Sequence, residues 1–446
     1  MCRLRGENML TRLDDKFSAA EVRIADAAFP SPFKTGLEYS SPARGTWNIV
    51  HTGMLVPQAH EIFVCAQSCL RGVVLTAAEM NACDRFSTVT VKENNLLDGD
   101  MEELIIEGVT DILNRLSYRP RAVLVYSSCI HHFVGCDLAL CYNELRRRFP
   151  DILFTDCYMN PIMRKSGLTP DQLMRRQLYS LLEKRECDGG VNVIGNDFST
   201  HDTSELAEII EKSGRKFREI TRTESFDEYL EMACSEINIS YIPPARAAGD
   251  YLLRKLGTEH IYLPASFNFD KIKTSLKTLS ERLCVDYDVS KKEKSASEAI
   301  VRAKKLIGNT PIAIDYTAVS APLSLARLLS ENGFNVVSIY ADSFTADERD
   351  EFDWLCRNRP NISVIATVRP EMRVLPRKSD DKILAIGQKA AYFTGTEYFV
   401  NIVEGAGLYG FDGVRRLADM MCEAFLCRRN AADHIQQKGW GCSCCL

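Results

Sequence analysis

The chain has 446 residues, 46% of them apolar and 26% charged, an ordinary globular composition with room for two or three domains. A formal net charge of −5 leaves no basic footprint for nucleic acid. No run approaches the roughly 18 apolar residues of a membrane span, and Met1-Cys2-Arg3-Leu4-Arg5-Gly6-Glu7-Asn8 has no apolar core of signal-peptide length, so a cytoplasmic protein without a membrane partner is expected.

Residues 1–44 read as an arm with one helix around Phe17–Ala28, broken by Phe29-Pro30-Ser31-Pro32. From Gly45 strands and helices alternate. His60–Val64, Phe86–Val91, Ala122–Tyr126 and Ile152–Thr155 read as strands, with helices at Arg71–Asn81, Asp100–Leu116, Leu138–Phe149 and Asp171–Lys184, the last with its basic residues on an open face. A second unit opens with Val191–Asp197, a strand ending in Gly-Asn-Asp, and continues through helix Thr203–Ser213, strand Ile237–Ser240, helix Arg246–Leu256, strand Ile261–Pro264 and helix Phe269–Leu283. After the charged stretch Asp288–Ser295 and a helix ending at Ile307, a third unit follows. Its strands are Pro311–Tyr316, Val336–Tyr340, Ser363–Ala366 and Ile383–Gly387, its helices Pro322–Asn332, Asp347–Arg357 and one starting at Gln388. Alternation of this kind predicts an α/β protein of three Rossmann-like, doubly wound parallel-sheet domains around a central cleft. The divisions read from the chain are 45–188, 189–308 and 309–430, with a Cys-rich tail over 431–446.

Seventeen cysteines are many for a chain without a secretory leader, which favours metal or redox use over a disulfide framework. Those at 141, 157, 187, 234, 284, 356, 422 and 427 sit among apolar or helical neighbours and read as small core or helix-surface residues. Two groups stand apart. Cys65 and Cys69 follow the strand ending at Val64, and Cys129 and Cys136 follow the strand ending at Tyr126, where an open sheet presents its carboxyl-end loops. Cys65, Cys69 and Cys129 are three thiols from two adjacent loops, one short of the four that an iron–sulfur cluster or closed zinc site needs unless a partner chain supplies the rest. His131 and His132 stand beside Cys129 as candidate proton carriers, since imidazole titrates near neutral pH. In the tail, Cys442, Cys444 and Cys445 are a metal-binding or redox end, or a floppy one. There is no Walker loop, no GxGxxG after a strand, no GxSxG elbow and no HExxH.

At these residues the chain resembles the nitrogenase component 1 superfamily. Val64–Cys69 falls where that family has a His-Gly-x-x-Gly-Cys loop, Ser127-Ser128-Cys129 with Val134-Gly135-Cys136-Asp137 resembles Ser/Thr-x-Cys followed by Ile-Gly-Asp-Asp, and Gly410-Phe411-Asp412-Gly413 resembles Gly-Tyr-Asp-Gly before a helix. The resemblance covers about residues 40–425 and implies the same three-domain order. It implies that Cys69 and Cys129 ligate an iron–sulfur cluster, of the 4Fe–4S or P-cluster-like 8Fe–7S kind, shared at a subunit interface. The family's earlier ligand falls near Ser40 or Ser41, and Cys65 stands as its substitute. The cysteine and histidine that hold the family's iron–molybdenum cofactor fall near Ser240 and Val400, which argues against dinitrogen reduction and leaves an organic or tetrapyrrole substrate, or another cluster, for the cleft.

The resemblance thus implies an iron–sulfur oxidoreductase subunit that pairs with an identical or homologous component 1 subunit, as a dimer or heterotetramer, and takes electrons from a separate ATP-dependent iron protein. Two other readings stand beside it: a scaffold or carrier for metallocluster assembly, which the thiol tail suits, and a metal-free Rossmann-type binding protein.

Overall fold

A computed structural model describes residues 20–34, 36, 38, 49–160, 167–374 and 382–434. Its strands, in chain order, are β1 (Glu21–Arg23), β2 (Ala59–Ala66), β3 (Phe86–Val91), β4 (Ala122–Ser128), β5 (Leu153–Met159), β6 (Gly190–Val193), β7 (Phe217–Glu219), β8 (Ser235–Ser240), β9 (Glu259–Tyr262), β10 (Pro311–Asp315), β11 (Asn335–Tyr340), β12 (Ser363–Ile365), β13 (Leu384–Ile386) and β14 (Phe399–Val400). They form three sheets, ordered β3-β2-β4-β5, β7-β6-β8-β9 and β1-β12-β11-β10-β13-β14. Every pairing is parallel except that of β1 with β12.

Strand alternation makes the two faces of the first sheet distinct. Ile62, Val64, Val123 and Val125 pack on the helices Met101–Arg115 and Leu138–Arg148, whereas Phe63, Cys65, Leu124 and Tyr126 face the helix Gln67–Glu79 and the elements leading into the second sheet. Phe63 and Tyr126 are register partners and their rings stack with centroids 3.9 Å apart. The units do not keep separate cores. One cluster joins Phe63 and Tyr126 to Ile194, Phe226 and Ala248, and another joins Val191, Ile237 and Ile239 to Ile312, Ile339 and Leu384. Each such buried side chain contributes about 1.5–3 kcal/mol, so the three sheets share their main source of stability.

Two elements depart from the sequence reading. The helix expected around Phe17–Ala28 is absent over its described part: Glu21–Arg23 is an antiparallel edge strand on β12, followed by a short 3-10 turn that buries Ile24 completely. A three-residue strand has too little pattern of its own to be seen without its partner. The helix expected over Asp171–Lys184 runs only from Pro170 to Gln177. Beyond it Leu178, Tyr179 and Leu182 are all buried, so that segment turns inward. Of the expected helix's basic residues Lys184 is exposed and Arg176 half-buried, but Arg175 is 1% exposed, because Asp171 and Asp197 lie within reach to pair it.

Candidate active site

In the first sheet the chain enters at β2, pairs β3 on one side, then crosses back to pair β4 on the other. Loops leaving β2 and β4 therefore diverge to opposite faces and open a crevice at the carboxyl edge, the topological switch point where doubly wound sheets bind ligands. Cys65 is the penultimate residue of β2, Cys69 lies in the first turn of the helix Gln67–Glu79, and Cys129 begins the short helix Cys129–Phe133 after β4. All three flank that crevice. Cys65 is fully buried, Cys129 half-buried and Cys69 exposed.

The thiols are close enough to act on one another. Burial, then the neighbouring Cys69 and Cys129 sulfurs, pushes the Cys65 thiol up to about 12, against a hydrogen bond from Ser128. Burial and Cys69 likewise push Cys129 up. Without a metal Cys65 and Cys129 are held as thiols, and a bound cation would reverse that by direct ligation to the thiolate. Among the described residues no three His, Cys, Asp or Glu side chains converge tightly enough to hold a single metal ion. A polynuclear cluster asks for something different, since each thiolate then binds its own metal atom. Three soft donors at one switch point fit a cluster completed from outside the chain.

His131 is 1% exposed. The Ser128 backbone N–H donates to its Nδ1 at 3.1 Å, which puts the ring proton on Nε2, and that atom is buried without a hydrogen-bond partner. Burial lowers its pKa, so His131 is neutral near pH 7. His132 is exposed and lies against the ring of Phe133. His60 is on the other side of β2, its Nδ1 2.6 Å from the Tyr118 hydroxyl and its Nε2 2.8 Å from the Ser87 hydroxyl, and burial and Arg85 bring it down to about 4. It is a structural hydrogen bonder. Exposed apolar side chains flank the thiols: Phe133 is 71%, Val134 48% and Leu140 54% exposed. Ser40, Ser41 and the tail cysteines lie outside the described residues.

A second concavity lies where carboxyl-edge loops of the second and third sheets meet. It is shallow and open to solvent, with room of only about 20 Å³, and its walls include Ala265, Phe267, Val319, Leu408, Tyr409 and Gly413. Ser240 is buried at the end of β8 with its hydroxyl 2.8 Å from His260 Nε2, and Val400 is buried in β14; neither side chain is a soft ligand. Sequence reasoning also missed Lys389, in the third sheet's unit. It is 3% exposed, and its ammonium donates to the Tyr316 hydroxyl at 2.9 Å beside the switch point between β10 and β13. Its one sequence signal is a lysine directly after a strand and Gly387, which local pattern does not distinguish from a surface residue.

Comparison with known proteins agrees with this architecture. The chain superposes on a structure described as nitrogenase Cp1 at pH 6.5 with a TM-score of 0.65 and 14% identity, covering 88% of this chain and 94% of that one. A second, nitrogenase Cp1 at pH 5, gives a TM-score of 0.57 and 10% identity over 94% of this chain and 96% of that one. No curated protein sequence matches. Residues 50–426 match the nitrogenase component 1 type oxidoreductases. With that match over most of its length, the chain belongs to the nitrogenase component 1 type oxidoreductase family.

Proposed function

We propose that this chain is one subunit of a nitrogenase-like reductase, in which Cys65, Cys69 and Cys129 hold part of an iron–sulfur cluster shared with a second component 1 chain. The observation that carries the proposal is the gathering of three thiols from β2 and β4 at the switch point of the first sheet. The exposed Phe133 and Val134 on the Cys129 loop support a partner there, since apolar side chains beside an incomplete ligand set suit a surface that another chain covers. When bound, the cluster would supply one-electron transfer. Cys65 and Cys129 would bind as thiolates, the sheet edge would fix their spacing, and the buried β2 would keep water from the inner side.

In this reading electrons come from a separate ATP-dependent iron protein and reduce a substrate in the concavity between the second and third sheets. The described walls of that concavity are apolar and hydroxyl-bearing, which suits an organic substrate. His132, exposed, and His131, neutral, are the candidates for moving protons at the first site. The division into units 45–188, 189–308 and 309–430 and a cytoplasmic setting belong to the same proposal.

The test is iron and acid-labile sulfide per chain in protein purified without oxygen, with low-temperature EPR after dithionite reduction. About two irons per chain are expected for one four-iron cluster shared by two chains. Absence of both iron and sulfide in the presence of the partner chain would overturn the proposal.

A further inference from the structure

The segment after Cys129 carries two more thiols that the cluster reading does not use. Asp137 caps the helix Leu138–Arg148, its carboxylate accepting the Leu140 N–H at 2.9 Å. The residue just before a helix cap and the residue four into the helix meet across the first turn, the arrangement that usually forms a hydrophobic staple. Here those positions are Cys136 and Cys141. Backbone bonds hold the turn: Cys136 N to His131 O at 3.0 Å, Leu138 N to Cys136 O at 3.0 Å and Cys141 N to Asp137 O at 3.2 Å. Cys136 packs against the apolar cluster that contains Cys141.

Their surroundings differ in a useful way. Cys141 is fully buried, its Sγ 3.8 Å from the Glu102 carbonyl, and Cys136 is half-buried. The Glu102 carboxylate accepts the Asp137 N–H at 2.7 Å.

We propose that Cys136 and Cys141 are a redox-active thiol pair that closes to an intrachain disulfide by exchange with a low-molecular-weight disulfide. Cys136, the more accessible of the two, attacks one sulfur of the small disulfide, and its proton leaves with the departing small thiol. Cys141 then attacks the Cys136 sulfur of the mixed disulfide, and its proton leaves with the second small thiol. One small-molecule S–S bond and two protein S–H bonds are broken. One protein S–S bond and two small-molecule S–H bonds form, so the protein loses two electrons and the small disulfide gains them. Side chains at the two staple positions pack on each other across a single turn, so closure needs little backbone movement. The bridge fastens the helix start to the loop that begins at Cys129, and it does not depend on a cluster being bound.

The experiment incubates the full chain, purified without oxygen, with glutathione disulfide, then alkylates free thiols under denaturing conditions and digests with trypsin. The fragment Ala122–Arg146 contains Cys129, Cys136 and Cys141. The expected product lacks two hydrogens and carries one alkyl group, on Cys129, and dithiothreitol restores three alkylated cysteines. Cys141→Ser traps a glutathione adduct on Cys136, whereas Cys136→Ser gives neither bridge nor adduct in this fragment. Three alkylated cysteines after prolonged exposure, or a bridge to Cys129, would overturn the proposal. If either serine variant does not fold, the wild-type fragment decides the matter alone.

Discussion

The first and second sheets have the same strand order and therefore the same crevice, and they fill it in opposite ways. Between β6 and β8 the space is taken by the protein itself. Arg175 enters from the helix Pro170–Gln177, donates to the Gly195 carbonyl and pairs with Asp197 at 2.6 Å and Asp171 at 3.2 Å, while Thr52 donates to Asp197 at 3.2 Å. Gly195 has a φ of +82° and lies so close to Ala245, in the loop after β8, that a Cβ would overlap it. Between β2 and β4 the groups are soft thiols, unpaired with one another and open to solvent at Cys69. One switch point is thus a structural joint between units and the other has the makings of a site. Topology supplies the crevice; the side chains decide whether a ligand can use it.

Several substitutions would break or sharpen that contrast. The largest effect on folding is expected from Arg175→Ala, which leaves Asp197, 4% exposed in its side chain, without its cation. Removing one partner of a buried pair costs about 3–5 kcal/mol, so the denaturation midpoint should fall sharply. Iron content per folded chain should not change, and a midpoint within error of wild type would refute the joint.

Glu205 extends the filled side to the third sheet. It is buried, accepts the Asp412 N–H at 3.1 Å, and burial raises its pKa from 4.5 to about 7. The native state therefore holds a proton that the unfolded state has lost between about pH 4.5 and 7, and stability falls as pH rises through that window and levels off above it. Glu205→Gln keeps the acceptor and should flatten this slope, by up to about 3 kcal/mol at neutral pH. Parallel stability profiles for the two proteins would contradict this.

Gly195→Ala should cost about 1–3 kcal/mol from the left-handed backbone and the overlap with Ala245. Thermal melts would read it directly. At the open switch point the ranking reverses. Cys69→Ala, at an exposed position, should move stability by no more than about 0.5 kcal/mol, yet it should abolish iron binding, as should Cys129→Ala. Retention of iron by both variants would end the cluster assignment. In metal-free protein, iodoacetamide should modify Cys69 well before Cys65, whose thiol is buried and pushed up to about 12.

Much of the fold was legible in the chain because its cause is local. Apolar periodicity and flanking turns place the helices Arg246–Leu256 and Phe269–Leu283 at their observed bounds, and the strands of the first sheet fall within a few residues of expectation. The misreadings had non-local causes. Glu21–Arg23 is a strand only because β12 offers an edge, and Arg175 looks like a surface cation until Asp197, from the next unit, is seen to meet it. The thiol pair at Cys136 and Cys141 also escaped, since apolar neighbours make Cys141 look like core until the cap at Asp137 is recognised.

By itself, then, the sequence determined that this is an alternating α/β chain with thiols directly after two of its strands, because hydrophobic period and residue chemistry are written locally. Only the tertiary structure decided that β2 lies beside β4, so that Cys65, Cys69 and Cys129 share one crevice, and that the equivalent crevice of the second sheet is closed by Arg175. Strand order is a property of long-range pairing. No local pattern carries it.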